Sequence, residues 1–411
     1  MQLITVLTNK RVVLGVTGSI SVYKAVDLAS KLTQAGALVD VVMTEAAQKF
    51  VTSLTFEAVT GRSAYTDLWK TNPLSELPTH ILQVALGHHA DLIAVIPATA
   101  NTIAKLANGL ADDLLTVTAL AGRCPLVLAP AMDGTMYDHP AVVANLERLR
   151  ERGAFVIEPE TGRFASGLEG KGRLPETPTL MGHLRRVLGS DGVLSGKHVV
   201  VSAGGTREAL DPVRYLGNRS SGKQGYAIAQ AAIDAGARVT LVSSVELPAP
   251  IGADVVKVES AAQMKEAILA TSAQADALIM AAAVADFRPQ TVADQKIKKK
   301  DDGGGLTLEL GRTDDILLAV KAQRDAIQFP KVVIGFAAES QDLLDNARKK
   351  LESKGLDMLV ANDITAEGAG FAGDTNRVTL MHRDGTQETL DLMSKAAVGE
   401  VIVEWVGKMM K

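Results

Sequence analysis

One cysteine in 411 residues, Cys124, excludes an intrachain disulfide framework and points to a reducing compartment. Aromatics are scarce too, at 4%, so the core must be built from Ala, Val, Leu and Gly, the palette of parallel strands covered by helices. No run of residues is long and apolar enough to span a bilayer. The opening stretch MQLITVLTNKRVVLGV lacks the small-residue cleavage pattern of a signal peptide and runs straight into a strand. An excess of positive charge is missing as well. The formal net charge is -4, whereas a general nucleic-acid binder needs a basic surface. These absences lead to the expectation of a soluble cytoplasmic protein with neither membrane nor nucleic acid as partner. A chain of 411 residues, 47% hydrophobic, is long enough for two or three domains with sizeable cores.

What is present follows a repeated plan. A strand is predicted over residues 11–16, then the turn Thr17-Gly18-Ser19-Ile20, a helix over 21–34, a stop at Gly36 and a strand over 39–44. That is one βαβ unit. A strand over 199–202, the turn Ala203-Gly204-Gly205-Thr206, a helix from near Gly225 to Asp234, a stop at Gly236 and a strand over 239–243 repeat it. The chain restarts near residue 197, and Gly189-Ser190-Asp191-Gly192 reads as the hinge. The expected division is 1–189, a linker at 190–196, and 197–411.

Both units carry loops suited to anions. In the second, Ala203-Gly204-Gly205-Thr206 ends a strand, and Asn218-Arg219-Ser220-Ser221-Gly222 opens a helix. Loops dense in backbone N–H groups at those two places suit a triphosphate, and a mere buried turn has little use for Asn218, Ser220, Ser221 and Lys223 together. In the first unit, Gly18-Ser19 at a helix start with Thr44 across the crevice suits a single phosphate. Neither loop has the G-x-G-x-x-G fingerprint, and the second strands end in Thr44 and Ser243 rather than an acidic residue, which disfavours an NAD-dependent dehydrogenase.

Further motifs lie at predicted strand ends. A strand over 92–96, ended by Pro97, precedes Ala98-Thr99-Ala100-Asn101-Thr102, where Thr99 and Asn101 serve either a ligand or a helix cap. A strand over 126–129 leads into Pro130-Ala131-Met132-Asp133-Gly134-Thr135-Met136-Tyr137. The Gly-rich stretch over 161–173 is too long for a routine turn and reads as a mobile cover or binding loop. A strand over 277–281 precedes Ala282-Ala283-Val284-Ala285-Asp286, where small residues admit a planar ligand and Asp286 can hold a metal ion or a base edge. The run Lys296-Ile297-Lys298-Lys299-Lys300, ending in three glycines at 303–305, is either a solvated charged hairpin or a flap over phosphates. His88 and His89 read as surface residues, and Cys124 as a small buried one.

In that order these segments resemble the bifunctional coenzyme A biosynthesis enzymes, phosphopantothenoylcysteine decarboxylase joined to phosphopantothenate–cysteine ligase. The likeness covers nearly all of the chain. It rests on GVTGSISVYK, PATANT, PAMDGTMY, the Gly-rich loop, SAGGTREALDPVR, NRSSGKQG, AAAVADFRP, KIKKK, IGFAAES and LDMLVAND. The resemblance implies two Rossmann-like three-layer α/β domains. The first is flavodoxin-like and binds FMN through Gly18, Ser19, Thr44, Thr99 and Asn101; its flavin oxidises the cysteine end of the substrate, which then loses CO2. The second uses CTP and a divalent metal, Mg2+, to activate phosphopantothenate as an acyl-cytidylate that the amine of cysteine attacks. Ala281, Ala282, Asp286, Lys296, Phe336, Lys350 and Lys354 are the CTP residues it implies, with Asp286 also on the metal. Asn218 serves the second half-reaction, and Asp363 either closes a strand near the site or caps. Trimeric decarboxylase and dimeric ligase contacts are implied, hence a homo-oligomer.

Three family positions differ. Gln83 stands where the family has a histidine, leaving His80, three residues earlier, as the candidate base. Asp133 replaces an asparagine, and Ser166 replaces the cysteine that gives a proton to the enethiolate. A serine hydroxyl is a far weaker acid than a thiol, whose pKa is about 8.5. An ionised Asp133 would repel a substrate carboxylate, while a protonated one would not. An alternative is therefore a ligase whose first domain is a flavin-binding assembly scaffold.

Overall fold

The computed structural model describes residues 4–69, 81–164, 166–298, 305–339, 343–363 and 373–410. The chain forms two compact units, Met1–Leu188 and Gly189–Lys411.

In the first unit the strands are β1 (Arg11–Val16), β2 (Leu38–Met43), β3 (Ala64–Tyr65), β4 (Leu92–Ala98), β5 (Leu126–Pro130) and β6 (Phe155–Val156). They form one parallel sheet in the order β3-β2-β1-β4-β5-β6. Without the two-residue edge strand β3 this is the 2-1-3-4-5 order of flavodoxin-like sheets. A hairpin of β7 (Glu160–Arg163) and β8 (Glu169–Arg173) stands apart from it. The helices are α1 (Val22–Gln34), α2 (Ser53–Thr60), α3 (Leu82–His89), α4 (Ala100–Asn108), α5 (Leu114–Ala121), α6 (Gly134–Tyr137), α7 (Pro140–Glu151) and α8 (Thr177–Leu188).

Strand β1 shows why the sheet is covered on both sides. Val12, Leu14 and Val16 enter one core and Val13 the other, so every position from Val12 onward is buried. Continuous apolar strands of this kind belong in the middle of a parallel sheet. Asp40 on β2 is fully buried, and it accepts from Arg11 Nη1 at 2.8 Å and Arg62 Nε at 2.9 Å. Two guanidinium partners are what make an ionised group tolerable there.

The second unit holds an eight-stranded sheet in the order β13-β12-β9-β14-β17-β18-β20-β21. Its first six members are parallel: β9 (His198–Ala203), β12 (Arg238–Ser243), β13 (Ala253–Lys257), β14 (Ala277–Met280), β17 (Val332–Glu339) and β18 (Met358–Asp363). Strands β20 (Val378–His382) and β21 (Gln387–Thr389) extend it antiparallel. Pairs β10 (Arg207–Ala209) with β11 (Tyr215–Gly217), β15 (Phe287–Pro289) with β16 (Leu310–Arg312), and β19 (Thr375–Asn376) with β22 (Met393–Ser394) decorate it. The helices are α9 (Lys223–Asp234), α10 (Ala261–Ser272), α11 (Ile316–Ile327), α12 (Leu343–Ser353) and α13 (Lys395–Met409). Strand β9 alternates as β1 does, with Val199, Val201 and Ala203 in one core and Val200 in the other.

Each sheet reverses its winding at one point, between β1 and β4 and between β9 and β14. Ligands of doubly wound sheets sit at the carboxyl ends of the strands flanking that point. The structure corrects two expected boundaries. Pro97 does not end its strand: β4 runs on to Ala98, and the pairing with β5 shifts register between Val95 and Ala98. Pro97 has no N–H to give the ladder, so the strand accommodates it as an irregularity. Helix α9 begins at Lys223, two residues before the expected start, because Gly222 at φ 76° supplies the left-handed residue that turns the chain into it. The Gly-rich stretch over 161–173, read as a mobile cover or binding loop, is built around the β7–β8 hairpin.

Candidate active sites

At the switch point of the first sheet, the flavin residues expected from sequence are brought together. Thr17, buried at the end of β1, donates its hydroxyl to Pro97 O at 2.6 Å and accepts from Thr99 N at 3.1 Å. That pair of bonds ties the Gly18-Ser19 loop to the start of α4. Thr44 N donates to Val16 O at 3.0 Å, and the Thr44 hydroxyl accepts from Ala47 N at 3.3 Å. Gly18, Ser19, Thr44 and Thr99 are half-buried at the ends of three adjacent strands, while Asn101 is exposed on the first turn of α4. Thr99 is also the N-cap of α4, accepting from Thr102 N. Gly18 is required by space: a Cβ there would lie 2.5 Å from Ala46 Cβ and 3.0 Å from its carbonyl carbon.

The β7–β8 hairpin is docked on the segment leading into α6. Met132 N donates to Gly172 O at 3.1 Å, and a Cβ on Gly172 would fall 2.2 Å from Met132 O. Glu158 reinforces the contact, accepting from Tyr137 Oη at 3.0 Å and Lys171 Nζ at 2.6 Å. Sequence reading missed Glu158, since a lone acid after a short strand carries no motif. Ser166 and Asp133 meet directly. Ser166 Oγ donates to Asp133 Oδ2 at 3.0 Å, and Asp133 caps α6 through Thr135 N at 3.2 Å. The Thr135 N–H, then the Ser166 hydroxyl, hold the Asp133 carboxyl below the usual carboxylate range, so it is ionised at neutral pH.

His80 lies outside the described residues. Gln83 is half-buried on α3, and His88 and His89 are exposed at its end. Cys124 is half-buried rather than buried, beside a cavity of about 260 Å3, and burial pushes its thiol up.

The switch point of the second sheet opens into a cavity of about 960 Å3. The segment 218–225 forms one wall, 280–287 and 312–318 another, and Phe336, Lys350 and Lys354 line it too. The expected Ala281, Ala282, Asp286 and Asn218 are all there. Ser202 Oγ accepts from Ala282 N at 3.0 Å and Thr206 Oγ1 from Ala285 N at 2.9 Å, so the small-residue run is held open by its backbone. Gly225 lets α9 approach β9: a Cβ there would sit 2.6 Å from Ala203 Cβ and 2.7 Å from Ser202 O. Asn218 Nδ2 donates to Val284 O at 3.0 Å and Ala283 O at 3.4 Å, linking the walls.

Of the residues expected for CTP, only Lys296 falls outside the cavity lining. Lys354 is one residue beyond the end of α12, though four-residue spacing still brings it to the cavity beside Lys350, and its Nζ meets Asp315 Oδ2 at 3.0 Å. Lys296 is exposed and is not among the cavity-lining residues. Among the described residues no group of three or more His, Cys, Asp or Glu is arranged to hold a metal ion. Sequence reading also missed Lys395, Asn376 and Asp315, all cavity residues, because each comes from a segment remote in sequence from the quoted motifs.

These are two doubly wound α/β units with candidate sites at the switch points, the layout of a two-site α/β enzyme. Residues 3–189 match the Flavoprotein family, and residues 194–410 match the family described as DNA/pantothenate metabolism flavoprotein C-terminal domain. The chain is 48% identical over 409 residues to the Coenzyme A biosynthesis bifunctional protein CoaBC of Bacillus subtilis, covering 98% of each. It is 45% identical over 407 residues to that of Mycobacterium tuberculosis strain H37Rv, covering 96% of each. To that of Vibrio cholerae it is 42% identical over 405 residues, covering 98% of this chain and 99% of the relative. The chain belongs to this family of bifunctional coenzyme A biosynthesis enzymes, and it is a decarboxylase and a ligase in one polypeptide. No helix among the described residues is long and apolar enough to cross a membrane.

Proposed function

We propose that the second unit couples 4'-phosphopantothenate to cysteine at the expense of CTP, and that the first then decarboxylates the product with FMN, the join lying at residues 190–196. The observation that carries the ligase reading is the cavity that gathers Asn218, Asp286, Lys350 and Lys354 from three separate segments. A carboxylate oxygen of phosphopantothenate attacks the α-phosphorus of CTP and displaces pyrophosphate. The cysteine amine then attacks the acyl carbon, and CMP leaves. Lys350 and Lys354 suit the phosphates, and Phe336 with Ala281 and Ala282 borders the base. Asp286 would supply one carboxylate to Mg2+, which is commonly held by one or two carboxylates together with substrate phosphates and water.

In the first unit, Gly18, Ser19, Thr44, Thr99 and Asn101 would hold FMN, which supplies reversible two-electron oxidation of the substrate's cysteine end. The close fit of Gly18 against Ala46 supports a cradle with no spare volume. Gly18→Val is therefore expected to yield protein without bound flavin and with a lowered melting temperature, because its side chain overlaps Ala46 and the stabilisation by bound flavin is lost, while pyrophosphate release by the second unit is retained. A variant that stays yellow to the wild-type degree would move the flavin away from this loop. Trimeric contacts through the first unit and dimeric ones through the second belong to the same reading, and the native mass in solution tests them.

The departures at Gln83, Asp133 and Ser166 bear on rate. The Ser166 proton points at an ionised carboxylate, which makes the hydroxyl a still poorer acid. Ser166→Cys is expected to leave CO2 release unchanged or to raise it, since a more acidic donor speeds a rate-limiting proton transfer. Asp133→Asn is expected to lower KM for phosphopantothenoylcysteine by removing a charge that repels its carboxylate. Incubation with phosphopantothenate, cysteine and CTP, with pyrophosphate and CO2 followed separately, tests both halves. Pyrophosphate without CO2, flavin still bound, would leave the first unit a scaffold.

A further inference from the structure

Helices α9 and α13 begin beside each other, and each begins with a lysine. Lys223 is the first residue of α9 and Lys395 the first of α13, and both line the large cavity. The N-terminal end of a helix carries partial positive charge, so an ammonium there is electrostatically misplaced. Lys395 is in addition only 6% exposed, in a residue type that is almost never buried without reason. Its Nζ donates to Gly373 O at 2.6 Å and its backbone N to Asp374 O at 2.9 Å. Lys223 Nζ meets Asp374 Oδ1 at 2.6 Å. Gln224 locks the two helix starts together, donating to Lys395 O at 3.0 Å and accepting from Asn376 Nδ2 at 3.2 Å. Burial, then the like charge of Lys223, push the Lys395 ammonium below the ordinary lysine range. Burial of Lys395, the repulsion between the two ammoniums and the positive helix ends oppose this arrangement, and the exposed Asp374 carboxylate offsets part of that. A bound anion would add attraction to both ammoniums and to both helix ends, offsetting the remaining repulsion and the cost of burial. Local choices that oppose stability are expected at functional positions.

We propose that Lys223 and Lys395 form a phosphate subsite of the ligase cavity, binding a phosphate group of one of its reactants. The proposal rests on the ligase reading given above. Two reactants of that reaction bear phosphate, the nucleoside triphosphate and the phosphorylated acyl substrate, and they present the same chemistry to a pair of ammoniums.

The test uses the full-length protein and the variants Lys395→Met, Lys223→Met and Lys395→Arg. KM for CTP, KM for phosphopantothenate, inhibition by inorganic pyrophosphate and the melting temperature are measured for each. Either Met variant is expected to raise one KM roughly 10-fold or more, the scale of one charge-assisted hydrogen bond, while Lys395→Arg stays near wild type. A rise in KM for CTP with weaker pyrophosphate inhibition assigns the subsite to the terminal phosphates of the nucleotide. A rise for phosphopantothenate alone assigns it to the acyl substrate. Lys223 is the more exposed of the two, its side chain 41% accessible, so Lys223→Met carries the test if Lys395→Met fails to fold. Unchanged KM values and unchanged pyrophosphate inhibition in variants that melt normally would overturn the subsite. Calorimetric titration of wild type and Lys223→Met with inorganic pyrophosphate reads the site without turnover. A wild type that binds pyrophosphate but makes no acyl-cytidylate would count against the ligase reading alone.

Discussion

Lys296→Gln is expected to reduce pyrophosphate release from CTP and phosphopantothenate by roughly 30- to 1000-fold, the scale of losing one charge-matched contact worth about 2–4 kcal/mol in the transition state. The side chain is exposed and does not line the cavity, so the expectation rests on how its backbone is held. Ile297 N donates to the Asp211 carboxylate at 3.1 Å, Ile297 O accepts from Arg214 Nη2 at 2.8 Å, and Ala293 N donates to Leu210 O at 3.0 Å. Asp211 is itself buried, and the Arg214 guanidinium first, with backbone N–H groups, holds its carboxyl far below the usual range. A merely solvated charged hairpin needs no buried carboxylate to fix it. Near-normal turnover by Lys296→Gln would restore that blander reading.

Asn218→Asp should stop the reaction halfway. Asn218 spans the cavity by donating its amide N–H to Val284 O and Ala283 O. An aspartate cannot donate, and its charged oxygen would face two carbonyl oxygens, so the side chain must turn away. Transfer of the acyl group to cysteine is expected to fall roughly 100-fold or more, the scale of misplacing the groups that position the reactants. Pyrophosphate release should continue until the mixed anhydride accumulates. Mass spectrometry of quenched mixtures detects that species directly. Its absence, together with loss of pyrophosphate release, would place Asn218 in nucleotide binding instead.

The two predictions differ in how far the sequence reaches. For Asn218, the run of polar residues before a helix already marked a binding wall, and the fold adds the strand-end carbonyls it bridges to. For Lys296, a basic run between acidic and glycine residues has the same appearance whether it is solvent-facing or functional. Only the tether through Asp211 and Arg214 separates those cases, and it joins positions more than eighty residues apart.

Local physics set much of the architecture. Unbroken apolar strands with glycine stops at Gly36 and Gly236 dictate buried parallel sheets, and two copies of that pattern dictate two units. Small residues at strand ends mark where a ligand approaches, because they are read from spacing along one segment. The placement of charge was not legible in this way. That the Asp133 carboxyl is held still further below the usual carboxylate range follows from the Thr135 N–H and the Ser166 hydroxyl meeting it, one of them across a hairpin. That Lys395 belongs beside Lys223 follows from α13 packing on α9 after some 170 intervening residues. Backbone preference acts over a few residues and is written in neighbours. An ionisable group's state is set by whatever approaches within a few ångströms, and for this chain those neighbours come from distant segments that only folding brings together.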